Sequence, residues 1–269
     1  MAVKLQFSQQ PKLVLVLRDS LIAVKRSSTH IIRNTDQLLG TFFQPIMFLV
    51  LFSAVYSGAI AASLPPGVSY LQFLMAGIIV QTLAFGSTTT AIAVANDLKQ
   101  GIVDRFRSLP MSKIAVLNGH VVSDLFRNGL STVVMILTGL VIGFRTSASF
   151  IDWLLITLIV LLFTLAFSWI AAILGVIAKS VEGVQWLTFV IIFPLTFASS
   201  AFVPAETMNQ YLRGFAENQP IAVVIDAVRG LMLGSANASD IWWAIAWCVG
   251  TIIVAMPIAA WLFKRKVTS

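Results

Sequence analysis

Side chains able to do covalent or acid–base chemistry are sparse in this sequence. His30 and His120 are its two histidines, and they stand far apart in the chain. A zinc site needs several donors grouped at short spacing, and a Ser, His, Asp triad needs a base held by an acid; neither can be assembled from these residues. Cys248, the sole cysteine, lies inside an apolar run, so no internal disulfide can form and a small buried hydrophobe is the fitting role. The stretch GVIAKS, residues 175–180, ends like a phosphate-binding loop. Ala178 occupies the position that requires glycine, however, and the stretch closes an apolar run instead of following a soluble strand. The chain therefore offers no nucleotide site and no succession of intramembrane carboxylates, and energy for active transport would have to arrive from a second polypeptide.

The remaining ionisable and polar side chains sit at or within apolar runs. Asp124 and Arg127 are three apart, share a helix face and can pair. A charge at this depth is costly unless paired or wetted, and their place near the end of a run favours reaching out to the interface. Gln44, Gln72, Gln81 and the succession Ser87, Thr88, Thr89, Thr90 are uncharged, and such groups mostly bond a neighbouring membrane helix. Outside the N-terminus, the longest polar interruption is NDLKQGIVDRFRSLPMSK, residues 96–113. Its inner part, GIVDRFRS, can form about two helical turns with Ile102, Phe106 and Leu109 on one face, until Pro110 removes a donor and ends it. It reads either as a charged loop or as a short in-plane helix on which another protein pushes.

The elements that carry these groups are transmembrane. With 58% hydrophobic residues, 11% charged and a mean hydropathy of +0.91 over 269 residues, the chain is an integral membrane protein. Its net charge of +7 is not accompanied by the aromatic and basic interleaving of a nucleic-acid surface. Six apolar runs, at about 38–61, 69–95, 115–143, 151–178, 184–203 and 240–263, each approach the roughly 20 residues that cross a bilayer as a helix. Six spans place both termini on one side, with fifteen basic residues there against Arg145, Arg213 and Arg229 opposite, so the termini are expected in the cytoplasm. The N-terminus lacks the progression of a cleaved signal and is expected to remain. Residues 12–36 mix Leu13, Leu17, Leu21 and Val24 with Lys12, Arg18, Lys25 and Arg26, as suits an amphipathic helix on the membrane surface or a solvated basic tail. The outer segment from Phe202 to Ser235 holds apolar pieces too short to span, broken by Pro204, Gly214 and Pro220, and reads as re-entrant or interfacial helices or as a covering loop.

Three stretches in the right order resemble one family. NTDQLLGTFFQPIMFLVLF is similar to the entry into span 1, and NDLKQGIVDRFRSLPMSKIAVLNGHVVSDLFRN to the signature before span 3. FPLTFASSAFVPAETMNQYLRGFAENQP followed by IAVVIDAVRGLMLG resembles the outer segment between spans 5 and 6. The family is the type-2 permease subunits of ATP-binding-cassette exporters, in the daunorubicin-resistance-like branch. The chain departs from it in carrying Asn96, Asp97 and Lys99 where related permeases have an acid before the glycine, and in the charge at Asp226.

The resemblance implies an all-α integral membrane fold. Residues 1–37 would be the cytoplasmic N-terminus with its amphipathic connecting helix, 38–263 a six-helix transmembrane domain and 264–269 a cytoplasmic tail. Asp104, Arg105, Phe106, Arg107, Ser108, Leu109 and Pro110 would form a coupling helix seated on the ATPase, with Phe106 as apolar anchor and the arginines as orienting charges. Two permeases, alike or related, would work with two nucleotide-binding subunits, which would carry the ATP and Mg; this chain would hold no cofactor of its own. Spans 2 and 5 would line a pathway between the permeases, with Gln81, Phe85, Thr88, Phe189, Phe193 and Phe197 as its candidate residues. Hydrophobic drugs or lipid-like metabolites are the expected cargo at the plasma membrane, with polysaccharide or teichoic-acid precursors as the family's other cargo. An ion-driven secondary transporter would instead show an internal repeat and mid-span charges, and neither is evident.

Overall fold

The computed structural model describes residues 35–100, 113–178 and 180–268. The amphipathic stretch up to residue 34, the coupling residues Asp104 to Pro110, and Lys179 lie outside the described residues. Everything described is helix, turn or loop, without a strand. This is the outcome that hydrocarbon imposes on apolar runs whose backbone groups must pair within the segment.

Among the described residues nine α-helices follow in order. Helix α1 (Thr35–Ile60) carries Pro45 in its interior. Helix α2 (Tyr70–Gly86) starts at a capping box, in which the Ser69 hydroxyl accepts from the Gln72 amide at 3.3 Å and the Gln72 side-chain oxygen accepts from the Ser69 amide at 2.8 Å. After Ser87 the chain continues as α3 (Thr88–Lys99), and the two together make one 30-residue apolar stretch. Helices α4 (Lys113–Ile142) and α5 (Phe150–Ile177) come next, α5 capped reciprocally by Ser149 and Asp152. Helix α6 (Val181–Phe197) is followed by α7 (Gln210–Asn218), α8 (Pro220–Leu233) and α9 (Ala238–Thr268).

Five of these stretches are long and apolar enough to cross a membrane: Phe42–Ser63, Tyr70–Lys99, Val116–Ile142, Phe150–Ile177 and Ala238–Lys266. The run expected at 184–203 forms a 17-residue helix that stops at Phe197, short of that expectation. Pro194 has no amide to continue the ladder, and Ala198 leaves helical geometry at φ −92°, ψ 49°. The chain then passes so close to α2 that a Cβ at Gly77 would overlap the Ala201 backbone. A second close approach is made by Gly175 of α5 against the Ala91 carbonyl of α3. Small residues at such crossings let helix backbones meet where lipid supplies no hydrophobic drive for association.

Helix α5 is central and packs on α2, α3, α4, α6, α8 and α9. The main core gathers Leu74, Ile78 and Leu83 of α2, Ile159 and Phe163 of α5, and Ile225 and Val228 of α8 around it. Helix α1 leans on α2 and α4 from the edge and leaves Phe43, Met47, Leu51 and Val55 uncovered. At one end Lys266 donates to the Val176 and Ala178 carbonyls at the foot of α5. At the other, the loop after α4 is tied to α8 and α2. Thr146 donates to the Met232 carbonyl at 2.7 Å, and the Gln72 side chain to the Arg145 carbonyl at 2.9 Å. Helix α8 ends in a Schellman motif, with Gly234 at φ +70° and the Ser235 amide donating to the Gly230 carbonyl at 2.9 Å.

Candidate functional site

Positions 189, 193 and 197 recur every four residues, so Phe189, Phe193 and Phe197 stand above one another on a single face of α6. Their ring centroids are 4.9 and 4.2 Å apart, and Trp186 extends the stack at 6.3 Å from Phe189. The stack does not end with the helix. Phe197 meets Phe202 at 4.9 Å, and Phe202 meets Phe52 of α1 at 4.7 Å, with Phe48 a further 5.9 Å along. Between 38% and 70% of Trp186, Phe189, Phe193 and Phe197 is uncovered, so this ladder is a surface rather than core. Offset and edge-on rings of this kind stabilise one another while leaving faces free for an apolar visitor.

Phe48 also reaches a cavity of about 240 Å³ between α1, α2 and α4. Pro45, Phe48 and Phe85 give it apolar walls, and Gln44, Gln81, Thr82, Thr89 and Arg127 its polar positions. The threonines are turned to nearby backbone, Thr82 donating to the Ile78 carbonyl within α2 at 2.7 Å and Thr89 of α3 to the Gly86 carbonyl at the end of α2 at 2.8 Å. Gln81, expected to bond a neighbouring helix, is buried with neither amide atom partnered among the described residues. Of the six expected pathway residues, then, Gln81 and Phe85 lie at the cavity and the three phenylalanines of α6 on the ladder, joined through Phe48. Thr88 opens α3, half-buried and outside the cavity wall.

Arg127 brings an ion pair to the cavity floor. Its guanidinium donates to the Asp124 carboxylate and, at 2.7 Å, to the Gly86 carbonyl where α2 ends; the other carboxylate oxygen accepts from the Ser168 hydroxyl of α5. Asp124 is 1% exposed and Arg127 4%. This corrects the expectation that the two reach out to the interface, because α3 and α5 cover the face that carries them. The paired, hydrogen-bonded arrangement is the one that a low-dielectric interior tolerates.

A second pair of the same spacing went unread in the sequence. Arg229 of α8 donates to Asp226 at 2.6 Å, to the Phe73 carbonyl at 3.1 Å and to the Ser200 carbonyl, and its guanidinium lies 3.7 Å from the centre of the Phe73 ring. The Ser200 hydroxyl donates to the same carboxylate at 2.6 Å. The unexpected charge at Asp226 is thus the acid that neutralises a buried arginine locking α8 to α2. Its signal was the i, i+3 spacing shared with Asp124 and Arg127. Nearer the basic end, His120 Nε2 and Asp97 Oδ2 lie 2.8 Å apart and clasp α4 to α3, at the base of the segment holding Asp104 to Pro110. Among the described residues no group of three His, Cys, Asp or Glu side chains could hold a metal ion. The exposed aromatic ladder and the apolar cavity walls suit contact with an apolar molecule.

Comparison with known proteins bears on this arrangement. The profile of a family described as ABC-2 type transporter matches residues 19–233. A daunorubicin resistance ABC transporter permease protein of Streptomyces coeruleorubidus is 31% identical over 230 residues, which cover 86% of this chain and 80% of that one. A probable doxorubicin resistance ABC transporter permease protein of Mycobacterium tuberculosis is 26% identical over 249 residues, covering 91% and 88%.

Proposed function

The chain belongs to the ABC-2 type transporter family, and on that premise we propose that it is the membrane-spanning permease subunit of an ATP-driven exporter of hydrophobic compounds. The observation that carries the proposal is the family match across 19–233, which takes in the apolar helices α1 to α6, the 96–113 segment and the outer helices α7 and α8 together. The names of the relatives concern daunorubicin and doxorubicin resistance, and the apolar character of the ladder and cavity supports a hydrophobic cargo. Helix α6, though only 17 residues, is the fifth of six spans in this reading, completed by the turn that follows it. Both termini are cytoplasmic on the basic-residue count, and α7 and α8 form the outer, re-entrant part. Residues 1–37, 38–263 and 264–269 are then the N-terminal region with its surface helix, the transmembrane domain and the tail.

In operation, Asp104 to Pro110 seat on a nucleotide-binding subunit that carries the ATP and Mg, and two such subunits drive two permeases. ATP binding closes the ATPase pair, the coupling segments move, and α3 and α4 carry that movement through the Asp97–His120 clasp to the helices bearing the cavity. The switch works only if ATP favours one arrangement over the other. Co-purification with the ATPase, followed by ATP hydrolysis in lipid, tests the proposal. Stable association with hydrolysis stimulated by apolar compounds is expected, and transport that persists on an ion gradient without the ATPase would overturn it. The topology has its own check. A cysteine replacing Ser235 is labelled by an impermeant maleimide in intact cells, whereas one replacing Ser112 is labelled only after lysis, and the reverse pattern would invert the orientation.

A further inference from the structure

Helix α6 is two-sided. Trp186, Phe189, Phe193 and Phe197 carry the ladder on one face, and Thr188, Ile191, Ile192 and Leu195 line a separate cavity of about 120 Å³ on the opposite one. Phe167 of α5, Gln219 at the corner between α7 and α8, and Thr251 of α9 stand in the same wall.

Three of the four polar side chains in that wall make their hydrogen bonds inside the chain. Ser87 donates to the Ala84 carbonyl at 2.6 Å and Thr188 to the Val184 carbonyl at 2.7 Å, while Gln219 donates to the Leu195 carbonyl at 2.7 Å and accepts from the Ile221 amide at 3.0 Å. The fourth, Thr251, is half-buried, and the remaining wall residues are apolar. A polar occupant would lose its hydration there with little return, whereas dry apolar cavities of about 150 Å³ take up small apolar molecules.

The depth of the cavity selects among apolar occupants. Thr251 stands midway along α9 between Ala238 and Lys264, about 20 Å from each at 1.5 Å per residue, near the middle of about 30 Å of hydrocarbon. The solvent at that depth is the ends of acyl chains. Helix α9 packs chiefly on α5 and α8 and meets α6 little, and Ile191, Leu195 and Thr251, on the two sides of the cavity, are each only half-buried. In the permease reading the ladder face of α6 turns to the second permease, which leaves the cavity face to lipid; the choice of lipid over a second copy rests on that reading.

We propose that this cavity is a lipid-tail site, entered between α6 and α9 by the end of an acyl chain from the surrounding bilayer. Inside, the chain end restores the dispersion contacts that a void forfeits and supports α6 from behind its ladder.

The test is photolabelling of the purified chain in phosphatidylcholine nanodiscs, with a fraction of the lipid carrying a diazirine at the end of one acyl chain and the labelled residues located by mass spectrometry. Ile253 and Val254 of α9, 66% and 60% exposed at nearly the depth of Thr251, report the ordinary lipid face. Phe167 and Ile192, 7% and 3% exposed, report the cavity. Labelling of all four is expected. Thr251→Phe places a ring against the cavity and lowers labelling at Phe167 and Ile192 by about fivefold or more, the occupancy change that overpacking by one side chain produces. Unchanged labelling of Ile253 and Val254 in that variant shows that its fold is kept. Thr251→Val removes the hydroxyl, leaves the space and labels like the parent. Labelling confined to Ile253 and Val254 in the parent, as when a second copy or the chain itself closes the cavity, overturns the inference. So does labelling of Phe167 and Ile192 that survives Thr251→Phe, or that comes equally from a diazirine on the headgroup. The permease reading fails on a different result, no ATP-driven export by the wild-type complex in vesicles, so the two are separable.

Discussion

Replacing Asp124 with leucine lowers the stability of this chain by about 3–5 kcal/mol, because it leaves the Arg127 guanidinium buried without its counter-charge. Arg127 is 4% exposed and lies among α2, α3 and α5, so even at the cavity little of it meets water. The same change strands the Ser168 hydroxyl, which donates to Asp124. Replacing both Asp124 and Arg127 with leucine restores most of the loss, since an apolar pair of similar size leaves no orphaned charge. The exposed pair Arg213–Glu217, with side chains 47% and 39% accessible, supplies the contrast: Glu217→Ala leaves stability nearly unchanged, because both partners are solvated. Thermal unfolding of the three variants and the parent in one detergent measures this series. An Asp124→Leu change as mild as Glu217→Ala would show that the pair is wetted, and the burial argument would fall.

Phe106→Ala is expected to reduce recovery of the permease–ATPase complex by about thirtyfold or more, as truncation of an aromatic anchor at the centre of an interface costs about 2 kcal/mol or above. Membrane insertion and the melting temperature of the permease alone stay unchanged, because the residue lies in the segment between α3 and α4 and outside the spans. Arg105→Ala and Arg107→Ala give smaller losses that grow with salt concentration, the signature of orienting rather than anchoring contacts. Pull-down of a tagged ATPase from solubilised membranes reads all three. Full recovery and normal transport in Phe106→Ala would remove this residue from the coupling surface.

Chain chemistry alone determined that the protein is a helical membrane protein, where five of its long helices lie and to which family it belongs. The reason is that hydrocarbon demands long apolar runs with internally paired backbones, and this demand is written residue by residue. The GIVDRFRSLP stretch and the apolar fragments after Phe202 carried the resemblance for a related reason: each is a local pattern written in consecutive residues. Tertiary structure alone decided which polar side chains are covered. Asp124–Arg127 and Asp226–Arg229 have one spacing, yet burial follows from α3 and α5 in the first case and from α2 and the 198–203 turn in the second. It decided as well that the fifth apolar run stops at Phe197, where the next residues must clear Gly77, and that the Gln81 amide is enclosed without a partner among the described residues instead of bonding a neighbouring helix. In a soluble helix the polar face announces what is exposed. In a membrane both the lipid-facing and the protein-facing sides are apolar, so the sequence carries no periodicity that separates them, and only packing assigns the faces.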